Sequence, residues 1–304
     1  MITSRYRTLV VATCIGMLLV LLAGALVTNT ESGRGCGDDW PLCNGKFIPA
    51  YTLESMIEYS HRLISGIVGI LVLAAFVMTL RRYKQREPLT YAGGALLFTV
   101  VQALLGAAAV LWPQTPPVMA LHFGISLFAF ACTLLLAVWA HRTSRGISVK
   151  PASPVPKSVY PRVVAVVLFC LVVIYLGAFI RHTDSSGGCI GWPLCNGAVI
   201  PELEGATLIV FLHRVAALLL TFAIAGMYLH IRRTSEALRN AAGWALGLVV
   251  AQVLSGALVS FTVTNGDVFI FTSLLHNLII AGLFGILLDI AIRARRYREG
   301  SAAD

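Results

Sequence analysis

The sequence predicts an all-α integral membrane protein, with eight transmembrane helices arranged as two pseudo-symmetric four-helix bundles. Three observations predict it. Eight apolar runs are each long enough to cross a bilayer, the basic residues fall in alternate connections, and the second half of the chain repeats the first. The expected organisation is an N-terminal bundle over residues 1–146, a linker over 147–162 and a C-terminal bundle over 163–304.

The apolar runs follow from composition. Of 304 residues, 58% are hydrophobic and 12% charged, about half the charged share of a soluble domain. The apolar residues gather at 9–27, 57–80, 91–111, 118–140, 163–180, 208–230, 241–261 and 269–292. Each run is close to the ~20 residues that span the hydrocarbon core as a helix. Lipid offers the backbone no hydrogen-bond partner, so a spanning segment of this length must be helical. The first run, with Arg5 and Arg7 before it and Ala23-Gly24-Ala25 near its end, has features of a cleavable signal. It is longer than a signal core, however, and its partner in the second half lies mid-chain.

The net charge of +9 is a topology signal and not a nucleic-acid patch. Eighteen of the 23 Lys and Arg lie at the two termini and in the second, fourth and sixth connections. The positive-inside rule puts those parts in the cytoplasm. The long loops near 28–56 and 181–207 are then extracytoplasmic and hold Cys36, Cys43, Cys189 and Cys195, where disulfides are permitted. Cys14, Cys132 and Cys170 lie within spans and read as small core side chains. Pro151, Pro154, Pro156 and Pro161 mark the cytoplasmic linker.

The repeat is explicit. Trp40-Pro41-Leu42-Cys43-Asn44-Gly45 recurs as Trp192-Pro193-Leu194-Cys195-Asn196-Gly197, and His61-Arg62 recurs as His213-Arg214. Gln102, Gly106 and His122 match Gln252, Gly256 and His276. An even number of helices per copy gives both copies the same orientation.

Four of the seven histidines belong to the repeat. One per half lies on the second helix and one on the fourth, both near the outer end. A histidine in a span can simply hydrogen-bond a neighbouring helix. Two at matched depth on parallel helices can instead grip a planar ring between them, which is bis-histidine haem ligation in a helix bundle. Ser65, Gly66, Gly124, Ser126, Ala216 and Ala217 lie near the ligands and leave room for a porphyrin. Zinc needs more ligands than two histidines per half supply. Arg62 and Arg214 could pair with haem propionates or snorkel to the headgroups. Asp289 is expected to pair with Arg293 one turn on, and Gln102 and Gln252 to hydrogen-bond across helices. His141, His182 and His230, with no histidine counterpart, read as interface residues.

The symmetry breaks at one ionisable position. Glu58 stands three residues before His61, whereas Val210 stands three before His213. That spacing puts Glu58 and His61 on one helix face. A Glu there can merely favour the helix N-terminus, but an ionisable residue in a span is a functional candidate.

Together, the paired cysteine loops, Glu58-Tyr59-Ser60-His61-Arg62, and His122 and His276 on the later helices resemble haem A synthase of the bacterial type. The resemblance covers residues 5–298. It implies an oxidoreductase that converts a methyl group of haem O to a formyl group, giving haem A for terminal oxidases. It also implies that His61 and His122 ligate the substrate haem O and that Glu58 is the catalytic carboxylate. His213 and His276 would hold a resident haem b as electron relay. Loop disulfides Cys36–Cys43 and Cys189–Cys195 fit the pattern, although the second loop has one residue fewer between its cysteines. The implied setting is the bacterial cell membrane, with haem O synthase and terminal oxidase assembly factors as partners. Two other classes fit parts of the pattern. A di-haem cytochrome b electron carrier would keep the four histidines and leave Glu58 unexplained. A membrane disulfide oxidoreductase would ordinarily carry Cys-x-x-Cys and need no matched histidines.

Overall fold

The computed structural model describes residues 2–47, 51–112, 115–146 and 154–298. Part of the expected linker, 147–153 with Pro151, lies outside them. Among the described residues eight α-helices are long and apolar enough to cross a membrane. They are α1 (Ser4–Asn29), α2 (Leu53–Arg82), α3 (Arg86–Leu111), α4 (Pro116–Ser144), α5 (Val159–His182), α6 (Gly205–Thr234), α7 (Glu236–Thr262) and α8 (Gly266–Arg296). All eight expected runs fall inside them. The helices outlast the hydrophobic runs because polar residues finish their ends. Thr3, Thr52 and Asn265 cap α1, α2 and α8 by accepting the backbone N–H groups of Tyr6, Ser55 and Val268. Pro116 opens α4, where a missing N–H costs nothing. Arg81, Arg82, Arg232, Arg233, Arg293, Arg295 and Arg296 complete last turns, where cations suit the helix dipole.

The chain divides into two compact units, Met1–Ile147 and Ser148–Asp304. In the first, α1 packs on α2 and α4, and α3 on α2 and α4. A buried hydrogen bond ties α1 to α2, with 2.7 Å between Tyr6 Oη and Thr79 Oγ1. Tyr83 packs between Tyr6 and Trp139, tilted against the first ring and edge-to-face with the second. In the second unit, α5 packs on α6 and α8, and α7 on α6 and α8. Asp289 and Arg293 form the expected ion pair at 3.4 Å. Large apolar side chains such as Ile70, Leu104, Phe222, Trp244 and Phe271 point outward from the helices, as surfaces facing lipid require. Cys14, Cys132 and Cys170 are free thiols within helices.

The loops after α1 and α5 share several features, which carry the sequence repeat into three dimensions. Cys36 is bonded to Cys43 and Cys189 to Cys195. Each loop has a cis Trp-Pro bond, Trp40-Pro41 and Trp192-Pro193. Each makes a one-residue bridge, Cys43 with Lys46 and Cys195 with Ala198. At its start Thr30 Oγ1 meets Ser32 Oγ at 2.7 Å, and Thr183 Oγ1 meets Ser185 Oγ at 2.8 Å. Gly35 and Gly188 let the loop lie directly on the next helix. A Cβ there would stand 2.4 Å from the Glu54 carbonyl carbon or 2.5 Å from that of Ala206.

Candidate functional site

His61 and His213 each lie eight residues after the first residue of their helices, α2 and α6. Their rings are placed by glycines on the preceding helix. A Cβ on Gly24 of α1 would sit 3.2 Å from His61 Cε1, and one on Gly177 of α5 would sit 3.0 Å from His213 Cε1. The two glycines thus hold the space into which the rings fit. Nδ1 of His61 and of His213 is buried with no hydrogen-bond partner. A buried imidazole nitrogen in that state is costly unless another group binds it.

The fourth helix of each unit supplies the second histidine, and α3 and α7 contact them differently. Gln252 Nε2 lies 2.9 Å from His276 Nε2, and Ser255 Oγ lies 2.8 Å from His276 Nδ1. Gln102 instead donates from Nε2 to the backbone carbonyl of His122, at 2.9 Å. Both glutamines therefore bond across helices as expected, one to a ring and one to a main chain. Two half-buried histidines on α6 and α8, His213 with an orphaned Nδ1 and a glycine behind each ring, fit an axially ligated haem once iron takes a ring nitrogen of each.

Glu58 is buried at 4% exposure, and both its oxygens are engaged. Oε2 accepts the backbone N–H of Cys36 at 2.8 Å, and Oε1 pairs with Arg62 one turn on. Arg62 also donates from Nη1 to the carbonyls of Asp39 and Leu42, at 2.7 and 2.6 Å. The carboxylate, the arginine and the disulfide loop form one hydrogen-bonded assembly, with Glu58 and Arg62 flanking His61 in sequence. A carboxylate has about four acceptor positions, so acceptor capacity remains.

The second unit solves the same contact with apolar packing. Val210 is buried against the Cys189–Cys195 disulfide, with Ile180 and Phe211 beside it. Arg214, lacking a carboxylate partner there, donates to the carbonyls of Leu194 and Cys189 and to Ser260 Oγ, at 3.1, 2.9 and 3.0 Å. Both arginines thus hold their loops down.

Three contributors escaped the sequence reading: the paired glycines Gly24 and Gly177, Ser260, and Ser255. The repeat carried a signal for the serines, because the offset that aligns Gln102 with Gln252 puts Leu105 opposite Ser255 and Val110 opposite Ser260. Of the unmatched histidines, His230 meets Ser158 Oγ at 3.1 Å and Arg162 Nη1 at 3.2 Å near the start of α5, at the opposite end of α6 from His213.

The chain resembles known proteins along nearly its whole length. The chain is 41% identical over 277 residues to a protein named heme A synthase from Symbiobacterium thermophilum, covering 89% of each. It is 40% identical over 293 residues to the heme A synthase of Geobacillus kaustophilus, covering 94% of this chain and 91% of the relative. With that of Exiguobacterium sibiricum it shares 37% identity over 286 residues, 93% of each. Residues 7–288 match the family profile COX15-CtaA, described as cytochrome oxidase assembly protein. Near-complete coverage at this identity, on a chain whose helices, loops and histidines repeat in register, establishes that it belongs to the COX15-CtaA family of cytochrome oxidase assembly proteins.

Proposed function

We propose that this chain is a haem A synthase, an oxidoreductase that converts a methyl substituent of haem O to a formyl group in the bacterial cell membrane. The positive-inside pattern gives cytoplasmic termini and extracytoplasmic cysteine loops. The N-terminal half binds haem O as substrate between His61 and His122. The C-terminal half holds a resident haem b between His213 and His276, and that haem, when bound, supplies one-electron transfer. Product haem A passes to terminal oxidase assembly, and haem O comes from the enzyme that makes it.

One observation carries the division of labour. The two halves match in fold, loop and histidines, yet only the first buries a carboxylate one helical turn from its histidine. Converting a methyl group to a formyl group is a four-electron oxidation of that carbon. Positive charge develops at the carbon and protons must leave it. The Glu58 carboxylate can stabilise that charge and accept a proton. An electron relay has no such need, and Val210 occupies the matched position. Arg62 and the Cys36 N–H orient the carboxylate. Haem propionates would be read by the same guanidiniums, Arg62 and Arg214, that hold the loops, so seating of the ring and closure of the loop are coupled in this reading.

The alternative, a di-haem electron carrier, is favoured by the matching of all four histidines and leaves Glu58 without a role. Purified protein supplied with haem O and assayed by pigment extraction separates the two. Formation of haem A supports the synthase, and stable haem without product supports the carrier.

A further inference from the structure

The ring of His276 has a hydrogen-bond partner at each nitrogen. Ser255 is buried at 3% exposure. Its hydroxyl donates to the Gln252 carbonyl three residues earlier, at 2.9 Å. A hydroxyl has one proton, so toward His276 Nδ1, at 2.8 Å, the Ser255 oxygen acts as acceptor and Nδ1 carries the hydrogen. Nε2 then bears the lone pair and accepts from the Gln252 carboxamide at 2.9 Å. The carboxamide therefore sits on the nitrogen that is able to ligate a metal. Gly256 completes the seat, since a Cβ there would stand 3.3 Å from His276 Cε1.

The first half is built differently at each of these points. Leu105 occupies the place of Ser255 and offers no acceptor. Gly106, matched to Gly256, has nothing within 4 Å of a built Cβ. Gln102 bonds to the main chain of His122.

We propose that Ser255 is a positioning residue for the C-terminal haem: it fixes His276 as the Nδ1–H tautomer and strengthens it as an axial ligand. This rests on the assignment of His213 and His276 as haem ligands. A ligating histidine that donates its other N–H becomes a stronger electron donor and keeps its ring orientation. Loss of such a partner typically costs ~10–100-fold in metal affinity. It also removes electron density from the iron, which raises the reduction potential.

The test compares wild type, Ser255→Ala, Ser255→Thr and His276→Ala in purified full-length protein. Transfer of haem b to excess apomyoglobin gives the dissociation rate, and a redox titration followed by absorption gives the midpoint potential. Ser255→Ala is expected to release haem b ~10–100-fold faster, with the midpoint shifted upward, and Ser255→Thr to behave as wild type. Transfer rate and potential both unchanged in Ser255→Ala overturn the proposal. Should Ser255→Ala emerge without haem, recovery of haem in Ser255→Thr supports it, and equal loss in Ser255→Thr overturns it. If His276→Ala keeps its haem b, the ligand assignment itself fails.

Discussion

Replacing Glu58 with Gln tests the centre of the functional reading and can be worked through from the contacts. The carboxylate offers two oxygens, one to the Cys36 N–H and one to Arg62. A carboxamide offers a single oxygen and turns an N–H₂ toward the other donor. One charge-assisted contact is lost and the other loses its anionic acceptor. Hydrogen bonds to charged groups contribute ~1.5–3 kcal/mol and neutral ones ~0.5–1.5. Arg62 keeps its bonds to the Asp39 and Leu42 carbonyls, which offsets part of the loss. A net cost of about 2 kcal/mol for holding the loop is expected, a factor of ~30 in its opening equilibrium. Hydrogen exchange at the Cys36 amide should therefore accelerate by roughly that factor. Haem should remain bound, and haem A should no longer form. Val210→Glu should create no activity in the second half, because the catalytic reading needs substrate as well as a carboxylate. Near-normal turnover by Glu58→Gln would refute the reasoning. Loss of bound haem O alongside lost turnover would instead make Glu58 a seating residue.

Three further outcomes are expected. Ala at His213 or His276 removes the resident haem b, whereas Ala at His61 or His122 leaves it and abolishes product; His61→Ala losing haem b while His213→Ala keeps it would show the halves to be assigned backwards. Gly177→Ala, with its new methyl 3.0 Å from His213 Cε1, should shift the haem b absorption spectrum or empty the site, while Gly226→Ala, with open space around it, should leave the spectrum unchanged; equal spectra for both variants would remove the proposed constraint on the ring. Mass mapping without reductant should find Cys36 joined to Cys43 and Cys189 to Cys195, and opening either loop by Cys→Ser should cost about 2–3 kcal/mol; four free thiols in protein prepared without reductant would contradict the pairing.

Much of this protein is decided by its sequence alone, because lipid removes the alternatives. Runs such as 57–80 and 269–292 have to be helices, since nothing else satisfies the backbone in hydrocarbon. Their number, the repeat, the four matched histidines and the contrast of Glu58 with Val210 are all properties of residue type and spacing. Tertiary structure decides what each side chain touches. From sequence, Glu58 is a carboxylate one turn from His61; only the packed loop puts the Cys36 N–H, 22 residues away, on its oxygen. Arg62 and Arg214 are legible as cations near a haem, and their commitment to loop carbonyls 20 to 25 residues distant is not. Ser255 reads as an ordinary small residue of a spanning helix until α7 and α8 pack and bring its oxygen to His276. Hydrophobicity and periodicity act locally along the chain and survive in the sequence. Hydrogen-bond partners depend on rotamer, helix rotation and loop path to within a few tenths of an ångström, and those are fixed only when the helices meet.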